Sequence, residues 1–333
     1  MNHLGHQAAR AALPALLISV LVLLTASQTA FCQQTANGSL PNPPAGSEPV
    51  VLNVTVMNKS GGYVMGLDKS NFAVFDDKQP QDITYFRGPD EPVSVGIIFD
   101  ASGSMSDARK RDLLKTLYRE AISRFIRQSN EANIYFLIGF NERPQLLLDW
   151  RRGTDAVNDV LVKLSSIQFK GNTAFYDACY LGIEKLARST HRKRAIILIG
   201  DGQDNESHYT FSELQRRLRE SGVLFYVVAL ASAVDMVSSL GLQGQSILGE
   251  LATTSGGMAY LPEKSAHVST IFDMIAAELR HQYSIGFIPA TSMNESEWRR
   301  VKIKLVIPPG APREMQNLIV RSREGYYSTI KRH

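Results

Sequence analysis

The sequence predicts a doubly wound α/β domain with a mainly parallel sheet, inserted in a small β domain that both flanks of the chain supply. Three observations carry the prediction. Between Val93 and residue 281, uniformly apolar stretches such as "VSVGIIFD", "RAIILIGD" and "VLFYVVAL" alternate with segments of helical spacing. Strands with no polar face must be covered on both sides, as in a parallel sheet with helices on each face. Outside that region, "VVLNVTVMNKSGG" and "WRRVKIKLVIPPG" alternate apolar with polar residues, the period of a half-buried strand.

Taken in order, residues 1–32 read as a signal peptide, with Arg10 ahead of the apolar stretch "AALPALLISVLVLL" and polar "TASQ" soon after. The run is short and holds Pro14, so no stable membrane span is expected after cleavage, which fits after Cys32. Phe31 before that cysteine disfavours a lipid anchor. Residues 33–48, "QQTANGSLPNPPAGSE", have almost nothing to bury and read as a linker. Residues 49–91 form the first part of the β domain, where "NFAVFDDKQPQDITYF" suggests two strands about an Asp-Asp-Lys turn. Residues 92–281 hold the α/β domain. There Leu113, Leu117, Ala121 and Phe125 recur every fourth residue, residues 154–165 and 173–188 are helical, and Thr210 with Glu213 forms a capping box for a helix that Gly222 stops. Residues 282–333 complete the β domain, with Val301, Ile303, Leu305 and Ile307 on one face and Arg300, Lys302 and Lys304 on the other.

Composition narrows the function classes. A formal net charge of +4 with scattered Lys and Arg gives no nucleic-acid surface, and "HRKR" at 191–194, the densest basic run, reads as a solvated helix-to-strand loop. If Cys32 leaves with the signal, Cys179 stands alone on a helical apolar stretch and reads as a buried, inert thiol. Stability must then come from packing.

The chemistry concentrates at strand ends. Ligands of an open α/β sheet bind outside the carboxyl ends of its strands, where the strand order reverses. Asp100 ends "VSVGIIFD" and Asp201 ends "AIILIGD". If these strands are neighbours, two carboxylates face one crevice and repel unless a cation lies between them. Ser102 and Ser104, on alternate positions of "DASGS", add hydroxyls, and Thr173 of "KGNTAFYDA" adds a third. All are oxygen donors, which select a hard divalent ion, Mg²⁺ or else Mn²⁺ or Ca²⁺.

"DASGS", the "GNT" threonine and the "GDG" aspartate together resemble the three loops of the metal-ion-dependent adhesion site of von Willebrand factor type A domains, a Rossmann-like fold, over residues 92–281. Carried over by motif position, Asp100, Ser102 and Ser104 form the first loop, Thr173 the second and Asp201 the third. The flanks "GYVMGLDKSNFAVFDDKQPQDITYF" and "QYSIGFIPA" with "GYY" more loosely resemble the exported bacterial group called VWFA-related Acidobacterial proteins. The resemblance implies binding without turnover: an exported module, secreted or in the periplasm or cell envelope, that captures an Asp or Glu of a partner protein through the bound cation. Asp204 reads as a turn residue or an acceptor for metal-bound water, Asp177 as an orienter of the second loop or an exposed helical acid. Asn205-Glu-Ser is a glycosylation sequon. Residues 141–153 and 232–247 are candidate recognition loops.

Two rival readings stay open. A Mg²⁺-dependent hydrolase would use Asp100 as nucleophile, but haloacid-type phosphatases carry a second acid where Ser102 stands. Gly-x-Ser-x-Gly, the Walker lysine motif and a strand-following Gly-x-Gly-x-x-Gly are all missing. An envelope-assembly protein with a purely structural ion is the other.

Overall fold

The computed structural model describes residues 49–327 apart from 233–234, 290–296, 309, 311–314 and 316. The expected signal peptide and linker lie outside the described residues. Those described all belong to one compact unit, Leu40–His333.

The chain runs through β1 (Val50–Met57), β2 (Phe72–Asp76), β3 (Gln79–Gln81), β4 (Ile83–Arg87) and β5 (Val93–Asp100). Next come α1 (Ala108–Thr116), a π turn over Leu117–Ala121 and α2 (Ile122–Gln128), then β6 (Ile134–Phe140), β7 (Pro144–Arg152), α3 (Ala156–Ser165), α4 (Phe175–Ala187), β8 (Lys193–Gly200), α5 (Phe211–Ser221) and β9 (Leu224–Ala229). Last are α6 (Ser239–Ser255), β10 (Met258–Tyr260), α7 (Ser265–His281), β11 (Tyr283–Phe287), β12 (Trp298–Leu305), β13 (Ile319–Arg321) and β14 (Gly325–Tyr327).

Six strands form the central sheet in the order β10-β9-β8-β5-β6-β7, parallel except where β7 meets β6. From β5 the chain first builds outward through β6 and β7, then returns to place β8, β9 and β10 on the other side. The order therefore reverses between β5 and β8, which opens a crevice at their carboxyl ends. Residues on one face of the sheet, including Ile97 and Phe99, pack with α1, α2, α3 and α7. On the other face Ile98 and Leu198 pack with α4, α5 and α6. Both faces are thus dry, as apolar β5, β8 and β9 require. Cys179 is fully buried in the second layer, where burial pushes its thiol well above the usual range.

Strands from either end of the chain share two smaller sheets, β13-β1-β11-β4 and β14-β12-β2-β3. Their apolar sides meet in one core of Leu52, Val54, Phe72, Tyr283, Ile285 and Ile303, among others. Where two strands were expected after Asn71, three form: Asp77 and Lys78 turn with φ of 44° and 71°, β3 pairs with β2, and β4 departs to pair with β11 in the other sheet. The "HRKR" run also differs from expectation. Lys193 opens β8 with 0% exposure and donates to the carbonyl of Leu279. Burial pulls its ammonium down to about 8, against the nearby charges of Glu91, Glu278 and Asp90.

Candidate functional site

Register places the key acids side by side. Phe99 pairs with Ile199 across parallel β5 and β8, so Asp100 and Asp201 leave adjacent strand ends. Asp100 is held by its own loop: Ala101 N–H donates to the Phe140 carbonyl at 2.7 Å, and Ser102 N–H donates to Asp100 Oδ1 at 2.8 Å. The short turn that follows, Gly103–Ser106, brings the Ser102 and Ser104 hydroxyls within 3.1 Å of each other. Ser104 Oγ donates onward to Asp201 Oδ2 at 2.7 Å. Four of the five expected residues therefore sit in one crevice.

Thr173 reaches the same place through backbone contacts. Gly103 N–H donates to the Gly171 carbonyl at 3.0 Å, fastening the first loop to the second. Thr173 N–H donates to Asn205 Oδ1 at 2.8 Å, while its carbonyl accepts from Asn205 and Glu206 of the third loop. The residue is 5% exposed, and its hydroxyl makes no hydrogen bond among the described residues. The sequon asparagine thus serves here as a clamp between loops.

The electrostatics of the crevice set Asp100 apart. Asp100 is 1% exposed, and its Oδ2 is buried with no hydrogen-bond partner. Burial first, and the charge of Asp201 second, push its carboxyl up to about 7. Lys110 of α1 offsets part of this: its Nζ donates to Asp201 Oδ2 at 2.7 Å and reaches Asp235 Oδ2 at 2.8 Å. Burial would lower Lys110, but Asp201 and Asp235 outweigh it and hold the ammonium above its usual value. Asp235, opposed by its own burial, is kept low by Lys110 and by the Ser232 hydrogen bonds. Three carboxylates around one ammonium leave net negative charge, and one buried carboxylate oxygen has no donor. No group of three or more His, Cys, Asp or Glu among the described residues is placed to hold a metal ion. The donors here are two carboxylates with hydroxyls, an all-oxygen set that suits a hard divalent cation.

Neither Lys110 nor Asp235 was singled out from sequence. Lys110 did leave a trace, since it lies three residues before Leu113 on the apolar stripe of α1, where a lysine needs a buried partner. Asp235 gave none. Asp204 turns out to cap α4, accepting from Phe175 N–H at 2.8 Å and Tyr176 N–H at 3.2 Å. Asp177 accepts in return from His208 N–H and Tyr209 N–H, tying α4 to the third loop. The two candidate recognition loops need correction: β7 occupies 144–152, and α6 begins at Ser239. Glycines obscured α6, yet they are why it fits. A Cβ on Gly244 would lie 2.5 Å from the Asp201 carbonyl, and one on Gly202 would lie 2.4 Å from that of Gly244. Helix and third loop meet backbone to backbone.

No curated protein matches the sequence. Among solved structures, the PilB minor pilin of Streptococcus sanguinis is 14% identical over 59% of this chain and 62% of its own, with a TM-score of 0.46. The chain thus spans about three fifths of the pilin's length. A von Willebrand factor type A protein from Catenulispora acidiphila is 12% identical over 81% of this chain and 72% of its own, TM-score 0.46. The von Willebrand domain of the type V pili tip protein Mfa5 from Porphyromonas gingivalis is 14% identical over 57% and 95%, TM-score 0.44. At such values these likenesses carry no functional weight. The family model for the von Willebrand factor type A domain, in contrast, matches residues 94–273, more than half of the chain and the whole span from β5 into α7. With the switch-point crevice and its three converging loops, that match settles the family: the chain belongs to the von Willebrand factor type A domain family.

Proposed function

We propose that the protein is an exported, non-enzymatic binding module that captures an Asp or Glu side chain of a partner protein through a divalent cation, Mg²⁺ in the first place, held at Asp100, Ser102, Ser104, Thr173 and Asp201. The observation that carries the reading is the joined set at the switch point, where Ser104 Oγ lies 2.7 Å from Asp201 Oδ2 and 3.1 Å from Ser102 Oγ, beside the partnerless Oδ2 of Asp100. A divalent ion bound there supplies positive charge to which an incoming carboxylate can ligate. The chain's own residues do the rest. Ser102 N–H fixes the orientation of Asp100, Lys110 neutralises Asp201 from below, and the Asn205 clamp positions Thr173. None of the hydroxyls has a general base beside it other than these acids, so the set supports binding in preference to hydrolysis. In this reading the adhesion-site motif is functional, and the flanking sheets are those of the VWFA-related Acidobacterial group.

Calorimetric titration of Mg²⁺ into the purified chain tests the site. Saturable binding is expected, weakened at least about 100-fold in Asp100→Ala, since loss of outer-shell groups alone costs 10–100-fold. Pull-down from envelope extract in Mg²⁺, eluted with EDTA, tests the function. Partner binding that survives EDTA, or Mg²⁺-dependent ester or phosphoester hydrolysis lost in Asp100→Asn, would refute the proposal.

A further inference from the structure

The "HRKR" run forms one wall of a cleft of about 410 Å³ at the amino end of β8, opposite the end that carries Asp201. Along an eight-residue strand the two sites stand roughly 23 Å apart. His191, Arg192 and Arg194 line the cleft on this side, Ser221 of α5 on another, and Arg323, between β13 and β14, closes it with Tyr327 of β14.

Arg323 is the unexplained residue. It is 8% exposed, yet no carboxylate among the described residues pairs with it. Its Nη2 donates to the Val51 carbonyl at 3.1 Å, and its Nε is buried with no acceptor at all. Burial, and then the neighbouring charge of Arg194, pull its guanidinium down to about 10. The ends of α5 and α6 supply some compensation. A Cβ on Gly222 would lie 3.2 Å from Arg323 Nη1, one on Gly256 would lie 2.7 Å from the Arg323 backbone nitrogen, and Arg194 Nη2 donates to the Ser221 carbonyl. Helix carboxyl ends carry only a partial charge, however, against a full one on the Arg323 guanidinium. Glu220 is the one acid in the lining, and its carboxylate faces Arg217 at 3.7 Å. A buried cation without a counter-ion is strongly unfavourable, and guanidinium forks match oxyanions in shape.

We infer that this cleft binds a small tetrahedral oxyanion, phosphate or sulfate, free or as the end of a monoester, between Arg192, Arg194 and Arg323. The site is independent of the divalent-cation crevice. Three guanidinium groups from two segments far apart in the chain, Arg192 and Arg194 on one and Arg323 on the other, offer donors in more directions than a planar carboxylate can use. The room left around them admits the remainder of an ester.

Calorimetric titration of the full chain with inorganic phosphate, sulfate and glycerol 2-phosphate, at constant ionic strength in chloride, tests this. Saturable binding is expected, and should be at least about tenfold weaker in Arg323→Met and in Arg192→Glu, and unchanged in Asp100→Ala. The ratio of free phosphate to ester affinity identifies which source the site prefers. Because Arg192 is exposed, its variant remains informative even if Arg323→Met does not fold. In phosphate-free buffer Arg323→Met should melt no lower than the parent, having lost an uncompensated charge. Absence of saturable binding overturns the inference, as does equal binding by parent and Arg192→Glu, or a lower melting point of Arg323→Met without any phosphate effect.

Discussion

At the scale of single residues, Lys110 is the most consequential side chain outside the expected ligand set. Lys110 is 1% exposed, and its ammonium satisfies two acids from different loops, Asp201 and Asp235. Removing one partner of a buried ionic cluster leaves the others uncompensated, which costs about 3–5 kcal/mol. Lys110→Met should therefore lower the urea-unfolding free energy by about that amount. Added Mg²⁺ should recover more stability in this variant than in the parent, because a cation can then balance both carboxylates. A variant as stable as the parent in EDTA would show that the cluster is not a net stabiliser. Asp100, Ser102, Ser104 and Asp201 were legible beforehand because each follows a strand whose apolar run fixes where it ends. Lys110 was legible only as an oddity on an apolar stripe. Asp235 was not legible, since a loop acid gains meaning only from what the fold places against it.

At the scale of elements, α6 shows why local preference misleads. Its glycines disfavour helix by up to about 1 kcal/mol each relative to alanine, so residues 232–247 read as a loop, yet 239–255 are helical. Gly244 and Gly249 separate the two effects. A Cβ at 244 would press on the Asp201 carbonyl at 2.5 Å, whereas one at 249 meets nothing within 4 Å. Gly249→Ala should raise stability by about 0.5–1 kcal/mol. Gly244→Ala should lower it by about 1–3 kcal/mol despite the same gain in propensity, because the helix must retreat from the third loop. Paired thermal melts check both. Gly244→Ala should also weaken Mg²⁺ binding, as Asp201 moves with its carbonyl, and an unchanged affinity would mean that α6 does not position the site.

At the scale of the whole molecule, Glu278 near the end of α7 joins the α/β layers to the strands of both flanks. Its carboxylate accepts from Thr55 Oγ1 at 3.2 Å, Tyr226 OH at 2.9 Å and Gln282 Nε2 at 3.2 Å, and pairs with Arg321 of β13. It is 2% exposed, so replacement by Gln should cost about 3–5 kcal/mol and leave Arg321 without its counter-ion. The parent should unfold in one transition by both near-ultraviolet dichroism and tryptophan fluorescence, whereas in Glu278→Gln the two probes should separate. Coincident transitions in the variant would show that the apolar core of the small sheets alone couples the parts. Hydrophobic periodicity by itself determined the parallel sheet, its two helical layers, the half-buried flanking strands and the acids at the strand ends, because each of these depends on residues close in sequence. Tertiary structure alone decided that β5 and β8 are neighbours, that Lys110 and Asp235 share a cluster, that α6 needs its glycines and that Arg323 faces Arg194. Each of those contacts joins segments far apart in the chain, and no local pattern encodes which distant charge or backbone will meet a given side chain.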